Sequence, residues 1–170
     1  LQYGLTITKD AGEPLFNRTT GFGFYSFHFF ARNIGIVKAI ALGDYTINMG
    51  QGLIHWQGLA FGKGAAVMSI KRQAPPLRPY NSSGAFYFHR GVAVTVEKNN
   101  WQGTAFFSYR KLDANTTIDP LNDDDIAVSI HTSGYHRTQS ERKDKASLQQ
   151  LTYGGNLLYK RSTWYAGLNV

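Results

Sequence analysis

Ser26 and His28 have the side chains that a hydrolase uses as nucleophile and general base, and they are two positions apart. Residues with this spacing on a β-strand point to the same face, so the two side chains would be neighbours. Nucleophilic catalysis also needs a group that orients the base and donors for an oxyanion, and the sequence offers neither. We interpret both as polar residues of a strand face and expect no catalytic residues, with a hydrolase as the lesser alternative.

Histidine and aspartate side chains could bind a metal ion. The candidates are His89, His131 and His136, together with the acidic run 123–125. No HxxxH or similar spacing links them, and they fall in or near long polar segments, so we interpret them as solvated loop residues and expect no metal site. The glycine-rich segment 50–64 matches neither the dinucleotide-binding nor the P-loop spacing, and we expect no cofactor.

Basic residues exceed acidic ones by 18 to 11, which gives the 170-residue chain a formal net charge of +7. Cations on an internal surface raise the local concentration of anions and steer them inward. The alternative is that these cations pair with acidic loops or with phosphates of a lipid surface. The candidates for anion steering are Arg90, Arg110, Lys71, Arg72 and Arg78.

The elements that would position these residues are β-strands, because apolar and polar residues alternate with a period of two along most of the chain. Segment 37–49 has an apolar residue or glycine at every odd position, and 101–111 shows a similar alternation. Helical periodicity is hard to find. We predict an all-β protein with about eight strands in the segments 3–8, 21–32, 37–49, 65–71, 85–97, 101–111, 150–160 and 163–170.

The predicted connections are of two kinds. Short turns are expected at residues 33–35, 97–100 and 160–162, whereas the segment 112–147 is long and polar. Short turns at one end and long loops at the other are typical of outer-membrane β-barrels.

Two architectures fit the alternation. A soluble sandwich would bury its apolar face in a core, whereas a membrane barrel turns that face to lipid and lines its interior with polar residues. Aromatic residues such as Tyr3, Trp101 and Trp164 near strand ends favour the membrane barrel, as do small residues such as Ala39 and Gly103 on the apolar face. No apolar stretch is long enough for a transmembrane helix, and the chain has no cysteine.

A resemblance to a known family adds to this interpretation. It lies in the segments 42–53, 56–63, 71–73 with 77–80, 88–91, 109–115, 132–138 and 154–157. In this order, these segments resemble the barrel portion of Bacteroidota-type outer-membrane proteins that carry helix-hairpin-helix domains. The resemblance implies a β-barrel that follows a periplasmic part with those domains. No helix-hairpin-helix pattern occurs in these residues, so nucleic-acid binding is expected only through a domain absent from this chain.

We therefore expect residues 1–170 to belong to one antiparallel transmembrane β-barrel domain in the outer membrane of a Gram-negative bacterium. The roughly eight strands would be part of a larger barrel, since an open sheet leaves unpaired edges in lipid. Segment 112–147 is the expected extracellular loop. The expected function is a channel for translocation or uptake of polyanionic or other polar cargo; the alternative is a structural or scaffold subunit of a larger outer-membrane complex. Expected partners are membrane lipid, lipopolysaccharide and other envelope proteins.

Overall fold

The computed structural model of the protein describes residues 1–13, 15–17, 21–58, 71–72, 74–118 and 125–170. Apart from one short helix, the regular structure in these ranges is β-strand. No helix in them is long and apolar enough to span a membrane. The elements are β1 (Gln2–Thr8), β2 (Phe16–Asn17), β3 (Gly21–Phe22), β4 (Phe24–Ile34), β5 (Val37–Ile47), β6 (Leu77–Pro79), β7 (His89–Lys98), β8 (Trp101–Leu112), β9 (Ala114–Ile118), β10 (Asp125–Ile130), α1 (Gln139–Lys143), β11 (Leu148–Lys160) and β12 (Tyr165–Asn169).

One large antiparallel sheet dominates the described residues. Seven strands lie in the order β1-β4-β5-β7-β8-β11-β12, and an eighth, β6, pairs with β5. Two small hairpins, β2–β3 and β9–β10, lie outside this sheet. The sequence-based prediction of an antiparallel all-β fold is confirmed. The sheet is not closed within the described ranges, because β1 and β12 each have a partner on one side alone.

The two ends of the sheet differ in their connections. At the tight-turn end, β4 joins β5 through residues 35–36, β7 joins β8 through 99–100, and β11 joins β12 through 161–164. Asn33, Gly35 and Asn99 take positive φ angles at these turns, which short hairpin connections require. At the opposite, loop end, the connections are the long segments 9–23, 48–88 and 113–147.

The long strands lie close to the segments in which the sequence predicts them, although β7 begins at His89 rather than at residue 85 and the short strands β2 and β6 were not predicted. The predicted strand 65–71 lies outside the described residues except for Lys71, which is not in a strand. The segment 112–147, expected as a polar loop, contains the β9–β10 hairpin and α1. Helix α1 begins with a capping box in which Thr138 and Glu141 each bind the other's backbone N–H.

The large sheet has two chemically different faces, since directly paired residues point the same way. We call them the polar face and the apolar face. The polar face carries Ser26, His28, Thr95, Gln102, Thr104, Ser108, Arg110, Gln150, Thr152 and Asn156, together with buried apolar residues such as Phe30 and Phe106. The apolar face carries Tyr3, Leu5, Ile7, Tyr25, Phe27, Phe29, Leu42, Val92, Phe107, Tyr109, Leu151, Tyr153 and Leu157, all of them exposed.

The polar face is covered in part by the long connection that follows β5. His55 of this connection packs against His89 and Phe106, with ring centroids 5.2 and 5.7 Å apart. Further along the face, Gly50 lies next to the side-chain amide of Asn169 in β12. The connection therefore reaches from β5 across the polar face to the far edge of the sheet.

Candidate functional site

The site is built where β4 and β5 separate. Their pairing runs from the tight-turn end to His28↔Gly43 and then stops. Beyond this point Tyr45 pairs with His89 of β7 on one side and with Pro79 of β6 on the other. Strand β6 therefore takes the edge of β5 that β4 has left.

An ion pair occupies the gap between the two strands. The carboxylate of Asp44 has no solvent exposure and accepts hydrogen bonds from Arg90 Nε at 2.7 Å and Nη2 at 2.8 Å. The same carboxylate accepts a bond from the Phe27 N–H, while Arg90 Nη2 donates to the Tyr25 carbonyl oxygen at 2.7 Å. Backbone groups of β4 that have lost their partners in β5 are thus satisfied by side chains.

A second side-chain bridge crosses β7 beside this ion pair. Tyr45 is fully buried, and its hydroxyl donates to the carbonyl oxygen of Phe107 on β8 at 2.8 Å. Gly91 of β7 has a φ of +152°, and a Cβ there would collide with the same Phe107 oxygen. The Ser108 hydroxyl accepts a hydrogen bond from the Arg90 backbone N–H at 3.0 Å. A side chain therefore also satisfies a backbone group near the start of β7.

Arg90 and Arg110 both lie close to one aromatic ring. Their guanidinium carbons are 5.5 and 4.9 Å from the centroid of Phe88. Arg110 is buried on the polar face, where it donates to Gln150 at 3.0 Å and to the carbonyl oxygen of Phe86 at 2.6 Å. Cations stacked on aromatic rings and bonded in this way are positioned by the fold rather than free in solvent.

The other three predicted cations lie apart from this pair. Lys71 stands over the ring of Tyr165, 4.4 Å from its centroid. Arg72 stacks on Trp56, and its backbone N–H donates to the side chain of Gln51. Arg78 is exposed on β6. The structure thus brings together two of the five predicted residues, and one of these, Arg90, is neutralised by Asp44. Anion steering by the set stays a prediction.

Ser26 and His28 are buried on the polar face of β4. The hydroxyl of Ser26 and Nε2 of His28 have no hydrogen-bond partner in the described structure, so no bond joins them as nucleophile and base. His89 and His136 are buried, so the interpretation of these histidines as solvated loop residues is wrong for both. His89 packs against His55, while His131 contacts Asp144 at 3.3 Å. The acidic residues 123 and 124 lie outside the described residues. Within the described part of the chain, no three metal-ligating side chains form a group that could hold an ion.

A buried charged cluster joins two connections at the loop end. His136 is 7% exposed; its Nε2 is 2.8 Å from Asp113, and its backbone N–H donates to the carboxylate of Glu13. Lys145 donates to the carbonyl oxygen of Phe22 at 2.5 Å. We call Glu13, Asp113, His136 and Lys145 the loop clasp. It ties segment 9–23, next to β1, to segment 113–147, next to β8.

Burial and neighbouring charges in the loop clasp shift the pKa values of Asp113 and Lys145. Burial opposes ionisation of Asp113, but hydrogen bonds from His136 and the Ala146 N–H outweigh it, so the pKa of this carboxyl lies below its usual value. Burial lowers the pKa of the Lys145 ammonium, against the attraction of Asp113 and Glu13. Asp113 and Lys145 therefore influence each other's ionisation.

The fold and the site define the chain as an antiparallel β-sheet protein with one exposed apolar face and one polar face beneath a long connection. No family model, no curated protein and no solved structure matches the chain. The similarity to outer-membrane proteins with helix-hairpin-helix domains stays a prediction from the residues quoted above.

The sequence contained a signal for the central ion pair. Asp44 interrupts a strand that is otherwise rich in apolar residues and glycine, and a buried carboxylate requires a partner. Its partner is 46 positions away, and no spacing rule identifies it. The loop clasp likewise joins residues more than 100 positions apart, Glu13 and His136.

Proposed function

We propose that this chain forms part of the wall of a transmembrane β-barrel in the outer membrane of a Gram-negative bacterium. In this arrangement the apolar face contacts lipid and the polar face lines the interior. The observation that supports the proposal is the inverted polarity of the sheet. Phe27, Phe107 and Leu151 are 45%, 48% and 56% exposed, whereas Thr95 and Ser108 on the other face are 1% and 2% exposed.

The energetic reason is the cost of apolar surface in water, roughly 25 cal/mol per Å². A contiguous face of aromatic and aliphatic side chains across six neighbouring strands is far larger than the apolar patches of soluble monomers. Lipid removes this cost. Some polar side chains on the opposite face bond to one another, as in the hydrogen bond between the hydroxyls of Thr95 and Thr104 at 3.0 Å.

Within this proposal, the barrel is a gated channel for polar and polyanionic cargo. Arg110 lies on the polar face, and Lys71 and Arg72 lie on the connection that crosses it. Positive groups along an interior favour the entry of anions. Nucleic acid would be bound only by a domain outside these residues, as the resemblance implies.

The chain has no cysteine, so single cysteines can test which face contacts lipid. In the full-length protein reconstituted in vesicles, Tyr153→Cys and Leu5→Cys should carry a fluorophore that brominated lipid quenches. Their neighbours Thr152→Cys and Thr6→Cys, on the opposite face, should resist quenching. Equal quenching within each pair would refute the membrane-wall proposal.

A structural subunit is the second candidate, and the covered polar face favours it, since the connection carrying His55 narrows any path along that face. Conductance of the reconstituted protein in planar bilayers separates the two. A current whose preference for anions over cations falls with rising salt supports the channel, because salt screens the fixed positive charges. A protein that inserts, never conducts and co-purifies with envelope proteins in mild detergent is a scaffold.

A further inference from the structure

The apolar face contains a groove of about 350 Å³ along β8 and β11. It forms because Gly103, Ala105 and Gly155 are small, while Val96 and Leu157 stand on either side. Its lining is almost entirely apolar, and it is open along its length. A groove of this form suits a flexible hydrocarbon chain better than a polar or bulky ligand.

A basic and aromatic rim borders the groove at the tight-turn end. The pairing register places Val96, Gly103 and Leu157 in one row across the sheet, and Lys98, Trp101 and Tyr159 in the next row toward that end. Trp101 and Tyr159 have ring centroids 4.8 Å apart, and Trp164 continues the aromatic cluster at 5.5 Å from Tyr159. Arg161 follows β11 directly and is exposed.

The charges at this rim are not all neutralised. Glu97 is shared by Lys38 at 3.6 Å and Lys160 at 3.7 Å. Among the residues that the structure describes, no carboxylate pairs with Lys98 or Arg161. Two uncompensated cations next to a cluster of tryptophan and tyrosine have the chemistry of a membrane interface that faces anionic headgroups.

We propose that the groove and its rim bind one anionic phospholipid, with an acyl chain along Gly103 and Gly155 and the phosphate between Lys98 and Arg161. The aromatic cluster of Trp101 and Tyr159 contacts the glycerol region. The inference rests on the proposed function, since the site requires that the apolar face contact a bilayer. It goes further by assigning one lipid class to one position.

Native mass spectrometry of the full-length protein tests the headgroup preference. Phosphatidylglycerol and phosphatidylcholine with the same acyl chains are added to the detergent-solubilised protein. The wild type should retain phosphatidylglycerol preferentially, and each of Lys98→Gln and Arg161→Gln should lower that preference about fivefold, the effect of one interfacial charge. Lys111→Gln, which removes a cation at the opposite end of β8, is the control and should leave it unchanged.

Filling the groove tests the position of the acyl chain. A Cβ at residue 103 would lie 3.6 Å from Val96 Cγ2, an ordinary contact, so the backbone accepts a side chain there and the rest of the leucine in Gly103→Leu would extend into the open groove. This variant should lose retention of both lipids, while Val92→Leu on the same face retains them. Equal retention by Gly103→Leu and wild type overturns the proposal. So does an equal preference for the two headgroups in a protein whose cysteine variants pass the quenching test; failure of that test refutes the membrane wall itself.

Discussion

Asp44 and Arg90 face each other through two parallel N–H···O bonds of 2.7 and 2.8 Å, and the carboxylate is fully buried. The pair lies where backbone pairing between β4 and β5 ends, and it binds the Phe27 N–H and the Tyr25 carbonyl of the departing strand. The ion pair therefore maintains the continuity of the sheet at a point where the backbone alone does not.

Removing one partner of this pair should be far more harmful than removing both. Asp44→Ala leaves a guanidinium without its counterion, and we expect a loss of about 3–5 kcal/mol in the free energy of unfolding. Asp44→Leu combined with Arg90→Leu should recover much of it. Urea unfolding in vesicles, followed by tryptophan fluorescence, measures both. The exposed pair Lys38–Glu97 is the control, and Lys38→Ala should cost less than about 1 kcal/mol. This role would be contradicted if the combined Asp44→Leu and Arg90→Leu variant lost as much free energy of unfolding as the two single variants together.

Gly91 should not accept a side chain. A Cβ there would collide with the Phe107 carbonyl oxygen, and its φ of +152° is strained for other residues. We expect Gly91→Ala to destabilise the sheet by about 1–3 kcal/mol. Gly103→Ala, where a Cβ meets ordinary van der Waals distances, is the matched control and should be nearly neutral. The comparison uses the same unfolding assay; similar losses at the two positions would refute this explanation.

The Tyr45 hydroxyl should contribute measurably to stability. Tyr45→Phe preserves the ring packing but leaves the Phe107 carbonyl without this donor, so we expect a loss of about 0.5–1.5 kcal/mol. Tyr109→Phe removes an exposed hydroxyl that bonds to Gln149, and should have a smaller effect. An equal response of both variants in urea unfolding would show that burial of the Tyr45 bond adds nothing.

The loop clasp should weaken in acid. The pKa of Asp113 in the folded protein lies below its unfolded value of 3.8, so its stabilisation is complete above that value. It is lost as the pH falls through the folded-state pKa, below about pH 4. Asp113→Asn should therefore destabilise the protein at pH 7 by about 1.5–3 kcal/mol and by progressively less on acidification. Melting temperatures from pH 3 to 7 follow this change, with Asp10→Asn as the control. A constant difference across that range would contradict the linkage.

Much of the sheet is predictable from local sequence. Period-two alternation marks strands such as 37–47 and 101–112, and the short turns follow from the residues between them. The pattern assigns side chains to two faces, but it does not say which strands become neighbours across a long connection. The pairing of β8 with β11 across residues 113–147 is one that the pattern does not predict.

The site was harder to predict for a related reason. Arg90 and Arg110 were recognisable as cations on strands, but their surroundings come from Asp44, Phe88 and Gln150, which are distant in sequence. The start of helix α1 was predictable from the sequence, because Thr138 and Glu141 have the spacing of a capping box. Five helical residues are too short a segment to produce a clear helical period, and the polar composition of segment 112–147 predicts a loop instead.

The unequal connections also set an order of assembly. Hairpins β4–β5, β7–β8 and β11–β12 close over only a few residues, and such hairpins form within about 1–10 μs. Joining β5 to β7, or β8 to β11, requires closure of loops of dozens of residues, which costs more chain entropy and slows folding. The chain is therefore expected to form three hairpins first and to combine them afterwards. The ion pair and the loop clasp would appear only in that second stage, because each joins residues from different hairpins or connections.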